Sequence, residues 1–128
     1  MNRAQIEALI TKLEAATEGS RALSDEVLLT CGWQRSNHQD RRSCYWTSPD
    51  GRTHSRRPDP TRSLDDAVTL VPEGWLWSVG VQNTHKRTGP SAFIWKPDVK
   101  AQFIEAATPA LALCIAALKA RLVQAEAG

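Results

Sequence analysis

The beginning of the chain shows the apolar spacing of an amphipathic helix. One helical face carries apolar residues at positions i, i+3, i+4 and i+7: Ile6, Leu9, Ile10 and Leu13. Gly19-Ser20 can end this helix and start a second one, in which apolar side chains recur at steps of four residues: Leu23, Val27 and Cys31. Gly32 is placed as the C-terminal stop of the second helix, so Cys31 is interpreted as a buried, small apolar residue.

The pattern changes after Trp33. The stretch Cys44-Tyr45-Trp46-Thr47 favours a strand. The next four residues, Ser48-Pro49-Asp50-Gly51, are typical of a tight turn, because proline presets its φ and glycine accepts a positive one. Residues 52–61 are rich in arginine and proline and contain no large apolar side chain. We therefore interpret them as a surface loop or a short edge strand.

A third helix and two strands are predicted in the middle of the chain. Ser63 and Asp66 have the spacing of a capping box, and one helical face then carries Leu64, Ala67, Val68 and Val71. After Pro72 the apolar period becomes two, which predicts a strand with one face formed by Trp75, Trp77, Val79 and Val81. A polar loop from Gln82 to Pro90 leads to a second strand with Phe93 and Trp95, and the two strands are expected to form a hairpin.

The end of the chain predicts another helix. Thr108-Pro109 is typical of a helix start, with a cap followed by the first helical position. One face of this helix is expected to carry Leu111, Ile115, Leu118 and Leu122. The stretch before it, residues 103–107, fits either a strand or a loop.

These elements predict a mixed α/β (α+β) fold with a small, mainly antiparallel sheet, because helices lie at both ends and in the middle with strands between them. Apolar residues on both faces of the Trp75 and Phe93 strands favour helices on both sides of the sheet, as a three-layer α/β/α sandwich. The 128 residues are expected to form a single compact domain, 1–128, with a basic loop or hairpin segment at about 35–62.

Charge is concentrated in this basic segment, residues 35–62. It carries seven arginines against three aspartates, a balance of +4, whereas the rest of the chain has nine basic and eleven acidic residues. The planar fork of arginine suits bidentate contact with phosphate or carboxylate, and two aromatic residues of the segment could stack on bases. We predict that the segment is a binding surface, the alternative being a solvated loop. The candidate binding residues are Arg35, Arg41, Arg42, Tyr45, Trp46, Arg52, Arg56, Arg57 and Arg62.

The tryptophans of the chain are interpreted in two ways. Trp75, Trp77 and Trp95 occupy strand positions where large rings fill the interface between a sheet and a helix, so we assign them to the core. Trp46 borders a turn in the basic segment and is expected to be the most exposed tryptophan. It is predicted to be a main contact, together with the Arg41-Arg42 and Arg56-Arg57 pairs.

The sequence shows few signs of a catalytic or metal-binding site. The sequence contains no Gly-rich phosphate loop, nucleophile elbow or paired-histidine helix. Four residues could supply zinc ligands, but they lack the close chelating pair that structural zinc sites show: Cys31, His38, Cys44 and His54. We therefore expect no enzymatic activity, no metal and no cofactor.

The chain is expected to lie in the cytoplasm with reduced cysteines. It has an odd number of cysteines, three, and they show no paired spacing. Its opening residues carry charges within the apolar pattern, unlike a signal peptide. The longest uncharged apolar run, residues 110–118, is too short to cross a membrane, so no membrane partner is expected.

Two phrases of the sequence stand out: SLDDAVTLVPEGWLW at residues 63–77 and AATPALALC at residues 106–114, the latter followed by an alanine-rich stretch ending in Arg121. They resemble a family of small bacteriophage and prophage proteins, the phage ABA-sandwich domain. The likeness covers nearly the whole chain, but the region from Arg35 to Arg62 is longer and more basic than in most relatives. The resemblance implies a phage-encoded accessory protein with an α/β/α fold, acting in the host cytoplasm. It supplies no catalytic residues.

Two functions are open at this point. The phage resemblance and the basic segment favour a counter-defence or host-takeover binder that inhibits a host protein or nucleoprotein complex, as anti-CRISPR proteins do. The alternative is a nucleic-acid or nucleotide binder that uses the arginines of the basic segment. Salt dependence separates the two, because phosphate binding weakens steeply with salt. The oligomeric state is left open by the sequence.

Overall fold

The computed structural model of the chain describes residues 3–37, 44–54, 56, 58–83 and 88–127. Four helices and six strands lie within these ranges. In chain order they are α1 (Arg3–Ala15), α2 (Arg21–Thr30), β1 (Gln34–Asn37), β2 (Cys44–Thr47), β3 (Thr53–His54), α3 (Leu64–Val68), β4 (Leu76–Asn83), β5 (Thr88–Lys96), β6 (Val99–Glu105) and α4 (Pro109–Ala127).

The strands form two antiparallel three-stranded sheets, ordered β1-β2-β3 and β4-β5-β6. In the first sheet, Trp46 of β2 lies opposite Arg35 of β1 and His54 of β3. In the second sheet, β5 is central and pairs with both β4 and β6. The mixed α+β class and the antiparallel pairing are therefore confirmed. The ambiguous stretch 103–107 is strand as far as Glu105, the end of β6.

Helix α4 lies in the middle of the fold, because it contacts β4, β5 and β6 as well as α1 and α3. The predicted apolar face is buried at Leu111, Ile115 and Leu118, but Leu113 and Cys114 are equally inaccessible. The expectation of a single buried face was too narrow, since α4 has packing partners on several sides. A helix that is apolar all round is characteristic of such a position. Within the described ranges, no helix combines the length and hydropathy needed to cross a bilayer.

The β4-β5-β6 sheet is covered by a helix on one face. Residues directly opposite each other on neighbouring strands share a face, and the face with Ala92, Ile94 and Ile104 is buried. Among the described helices, α4 alone packs extensively on this sheet. The layers thus run from the sheet to α4 and then to α1 and α3, which agrees with the predicted sandwich of helices and sheet, and the described helix that packs extensively on this sheet lies on one of its faces.

Strand β4 forms an edge of its sheet, and this position overturns part of the predicted core. Trp77 is 37% exposed and Val81 is 69% exposed, although both belong to the face that was assigned to the core. An edge strand has a neighbouring strand on one side only, so its side chains keep more contact with solvent. Trp75, which precedes β4, is buried as predicted.

Helix starts follow the predicted caps. The side-chain oxygens of Ser20 and Thr108 accept backbone hydrogen bonds from the first turns of α2 and α4. Ser63 Oγ likewise accepts from the Asp66 N–H at 3.3 Å. The Asp66 carboxylate does not complete a capping box, because its Oδ2 accepts from the N–H of Asp59 at 2.8 Å.

Residues 58–61 are packed into the fold, so the prediction of a surface loop is wrong for this stretch. The alternative prediction, a short edge strand, is correct for Thr53–His54, which forms β3. Thr61 is 1% exposed, and its Oγ1 lies 2.7 Å from the hydroxyl of the buried Ser24. The Cys114 thiol donates to the carbonyl of Pro60 at 3.3 Å. These bonds give the buried polar groups partners where proline-rich backbone crosses α2 and α4.

Candidate functional site

Trp46, the predicted main contact, is fully buried. It lies in the middle strand of its sheet and belongs to the hydrophobic core. Its indole Nε1 is also buried and finds no hydrogen-bond partner among the described residues. The prediction that Trp46 is exposed is therefore wrong. Alternation along a strand decides which side chain faces the core, and here it turns Trp46 inward.

The other candidate residues are only partly described by the structure. Arg41, Arg42 and Arg57 lie outside the described residues, and of Tyr45 only the backbone position in β2 is described. The remaining candidates have exposed side chains and are distributed along the segment: Arg35, Arg52, Arg56 and Arg62.

Two of these arginines face aspartates of the same segment. Arg62 Nε donates to Asp59 Oδ2 at 2.6 Å, and Arg52 Nε lies 3.6 Å from Asp50 Oδ2. A hydrogen bond from the Ser48 hydroxyl, followed by one from the N–H of Arg52, lowers the pKa of Asp50. Exposed pairs of this kind contribute little to stability, but they reduce the local positive charge. The described part of the segment is therefore mixed in charge rather than uniformly basic.

Arg56 has a structural partner outside the segment. Its two terminal nitrogens donate to the two carboxylate oxygens of Asp66, and this contact raises the pKa of the guanidinium. Arg56, predicted to be a main contact for a partner, is thus paired with a carboxylate of the fold itself. Asp66 belongs to α3, and the pair ties the basic segment to that helix.

Trp33 is positioned by the way α2 ends. The N–H of Trp33 donates to the carbonyl of Leu28 at 3.0 Å, and the N–H of Gly32 donates to that of Leu29 at 3.3 Å. Gly32 has a φ of +93°, the left-handed conformation that this Schellman pattern requires. Trp33 therefore lies between the end of α2 and the start of β1, and 9% of the residue is exposed.

A groove of about 680 Å³ opens beside Trp33, between α1 and α2. Leu9 and Leu29 contribute apolar surface to it, and Leu29 is 54% exposed. Lys12 Nζ lies 2.9 Å from Glu26 Oε1, so an exposed ion pair joins the two helices at the groove. The groove therefore combines an accessible apolar wall with charged groups.

A second cavity, of about 340 Å³, also borders Trp33. The centroid of the His54 ring lies 5.0 Å from that of Trp33, and His54 Nε2 lies 3.2 Å from the Ser48 hydroxyl. The wall is otherwise mostly polar and includes Thr53, Arg56, Asp66 and Thr69. Because Trp33 lines both spaces, we call the groove and the cavity together the Trp33 surface.

The Trp33 surface was not predicted from the sequence, which indicated neither Trp33 nor the groove. The available signal was Leu29, which falls outside the four-residue spacing of Leu23, Val27 and Cys31 in α2. A leucine off the buried face of an amphipathic helix is a candidate for exposure. The neighbouring α1 completes the groove, and that contact is long-range and invisible to local patterns.

The described residues offer few groups that could hold a metal. Within the described ranges, no three His, Cys, Asp or Glu side chains are arranged to hold a metal ion. Of the four zinc candidates, Cys31 is buried, and burial raises the pKa of its thiol. His54 lies in the cavity of the Trp33 surface, whereas His38 and the Cys44 side chain are outside the described part.

Comparison with models of protein families, with curated proteins and with solved structures finds no match to this chain. The likeness of residues 63–77 and 106–114 to phage ABA-sandwich proteins accordingly stays a prediction from the sequence.

Proposed function

We propose that this chain is a non-enzymatic, phage-type accessory protein that binds and inhibits a host protein or nucleoprotein complex, as anti-CRISPR and other counter-defence or host-takeover inhibitors do. The observation that carries the proposal is the Trp33 surface. It offers an exposed apolar side chain, Leu29, in a groove flanked by polar and charged groups. An apolar centre with a polar rim is the usual arrangement of a protein–protein interface. The phage resemblance supports the biological setting, the cytoplasm of the host.

A protein partner is favoured over a nucleic acid by the state of the described arginines. Arg52, Arg56 and Arg62 each face a carboxylate, which a phosphate would have to displace. Trp46 is buried and offers no face for a base to stack on. The two features on which the nucleotide alternative rested are thus weakened.

Binding is favoured over catalysis by the state of the titratable groups. Both carboxylate oxygens of Asp66 accept hydrogen bonds, from Arg56 and from the N–H of Asp59, which commits this carboxylate to the fold. Burial raises the pKa of the Cys31 and Cys114 thiols, so neither is disposed to act as a thiolate nucleophile.

The partner surface we propose is an apolar side chain surrounded by polar and charged residues. The apolar side chain would enter the groove against Leu29, and the charged residues around it would complement Lys12 and Glu26, which pair across the groove. Complementary charge of this kind speeds association and orients the partner before the apolar contact forms.

The proposal can be tested by comparing tagged wild-type protein with two leucine variants in lysates of candidate bacterial hosts. Leu29→Glu places a negative charge in the groove. Leu64→Glu makes the same change at a 36% exposed position of α3, away from the groove, where a helix start tolerates an acidic residue. We expect one host protein to be enriched saturably by the wild type and by Leu64→Glu, and to be lost with Leu29→Glu.

Nuclease treatment and a salt series complete the test. Enrichment that survives nuclease and weakens only moderately with salt supports a protein partner. Enrichment of nucleic acid alone, falling steeply with salt and indifferent to Leu29→Glu, contradicts the proposal and favours the nucleotide alternative.

A further inference from the structure

We infer that two copies of this chain associate through the outer edge of β4, forming one continuous six-stranded antiparallel sheet. The inference concerns a different part of the molecule from the Trp33 surface and does not depend on it. It rests on the exposure, the composition and the symmetry of β4.

The outer edge of β4 is open in the described part of the molecule. Strand β4 is first in the order β4-β5-β6, and the elements in extensive contact with it are β5 beside it and α4 on one face. Alternate residues of an antiparallel strand direct their N–H and C=O groups to one side. Half of the backbone groups of Leu76–Asn83 therefore point away from β5 and can pair with another extended chain.

The sequence of β4 carries none of the usual protection against such pairing. It reads LWSVGVQN, eight residues without a charge or a proline. Edge strands that stay unpaired commonly carry lysine, proline or inward-pointing charges. The opposite edge of the same sheet fits that rule, because β6 contains Lys100 and Glu105, both exposed.

The exposed apolar residues of β4 match a second copy of β4. Trp77, Val79 and Val81 share one face of the strand, and Trp77 and Val81 are 37% and 69% exposed. Trp77 and Val81 lie symmetrically on either side of Val79. A two-fold axis through Val79, perpendicular to the sheet, places Trp77 of each copy opposite Val81 of the other and Val79 opposite its own equivalent.

The other residues of the strand are also compatible with this register. Leu76 falls opposite Gln82 of the second copy and Ser78 falls opposite Gly80, so no charge meets another. Pairing of residues of the same face keeps both α4 helices on the same side of the joined sheet. A two-fold contact of this kind closes on itself and does not propagate into a filament.

The test measures the oligomeric state of the full chain by sedimentation over a range of concentrations. We expect the wild type to reach twice the 14.1 kDa chain mass as concentration rises. Val81→Lys should stay monomeric and should melt as the wild type does at concentrations where both are monomeric, because Val81 is already mostly exposed. Ala101→Lys, which places the same charge at an exposed position of β6, should dimerise as the wild type does.

Two cysteine substitutions, each made separately in a Cys44→Ser background, test the register. Val79→Cys should form an intermolecular disulfide on mild oxidation, because directly opposite residues have Cα atoms about 4.5–5.5 Å apart, within disulfide range. Ser78→Cys should not, since it faces Gly80 of the second copy. A wild type that is monomeric throughout, a dimer that survives Val81→Lys, or cross-linking at position 78 instead of 79 overturns the inference.

Discussion

The Asp66 side chain is 6% exposed, while Arg56, which is paired with it, is 72% exposed. The ion pair thus joins a carboxylate inside the fold to a guanidinium at its surface. Asp66 also accepts the backbone N–H of Asp59, so a single carboxylate holds the polypeptide before α3 in place. The basic segment is fastened to the fold at this point.

Removal of this carboxylate should destabilise the protein. We expect Asp66→Ala to lower the free energy of unfolding by about 2–3 kcal/mol, because hydrogen bonds to charged groups contribute that much and the Asp59 N–H loses its acceptor. Asp65→Ala removes the neighbouring, exposed carboxylate of the same helix and should change it by about 0.5 kcal/mol or less. Urea unfolding of both variants gives the comparison, and equal effects would show that Asp66 has no special role.

The stability of the protein should depend on the ionisation of Asp59. Burial raises the pKa of this carboxyl, but hydrogen bonds from Ser24 and Arg62 outweigh burial and lower it below the usual value. A carboxyl whose folded pKa is lowered stabilises the fold above its unfolded pKa of about 3.9, and that contribution is lost as pH falls through the folded pKa.

The melting temperatures of wild type and Asp59→Asn, measured from pH 7 to pH 2, test this linkage. We expect the wild type to be more stable above about pH 5 and the difference to shrink as pH falls below about 4. Asp50 also has a lowered pKa, but it contributes equally to the stability of both proteins and therefore does not affect the difference between them. A difference that stays constant down to pH 2 contradicts the role given to Asp59.

Gly19 should not tolerate a side chain. A Cβ at this position lies 2.1 Å from the carbonyl oxygen of Thr61, which belongs to the packed stretch 58–61. Gly19→Ala is therefore expected to cost at least about 2 kcal/mol of unfolding free energy, through displaced backbone. Gly80→Ala meets no atom within 4 Å and has no positive φ, so it should stay within about 0.5 kcal/mol of the wild type. Similar stabilities of the two variants would contradict this close approach.

The thiols of Cys31 and Cys114 should be unreactive in the native protein. Both are buried, and burial raises the pKa of each. In a Cys44→Ser variant, which removes the third cysteine, we expect a thiol reagent at pH 8 to react only after denaturant is added. Rapid reaction without denaturant would show that the core around α4 opens readily.

Much of the fold could be predicted from local patterns. The four helices, the β4–β5 hairpin and the caps at Ser20 and Thr108 follow from periodicity and end signals that act over a few residues. The errors concern long-range placement. The prolines of residues 58–61 predicted a surface loop, yet this stretch packs against α2 and α4. The alternation of apolar and polar residues predicted that Trp77 is in the core, yet β4 is an edge strand and Trp77 is partly exposed.

The site was predicted less well for a related physical reason. Composition identified the basic segment, but it could not show that Asp66, from another element, would pair with Arg56. It also could not show which way β2 would turn Trp46. The groove beside Trp33 arises from the meeting of α1 and α2, and no single stretch of sequence encodes it.

The central claim, that the Trp33 surface binds and inhibits a component of a host defence, is tested most directly by phage plating efficiency. Bacteria that carry one defence system at a time would express wild-type protein, Leu29→Glu or Leu64→Glu to equal levels, with a strain lacking the defence as reference. We predict that wild type and Leu64→Glu raise the plating efficiency of a targeted phage in at least one such strain, whereas Leu29→Glu does not. Equal protection of the phage by Leu29→Glu, or no rise with the wild type in any strain, would contradict the account.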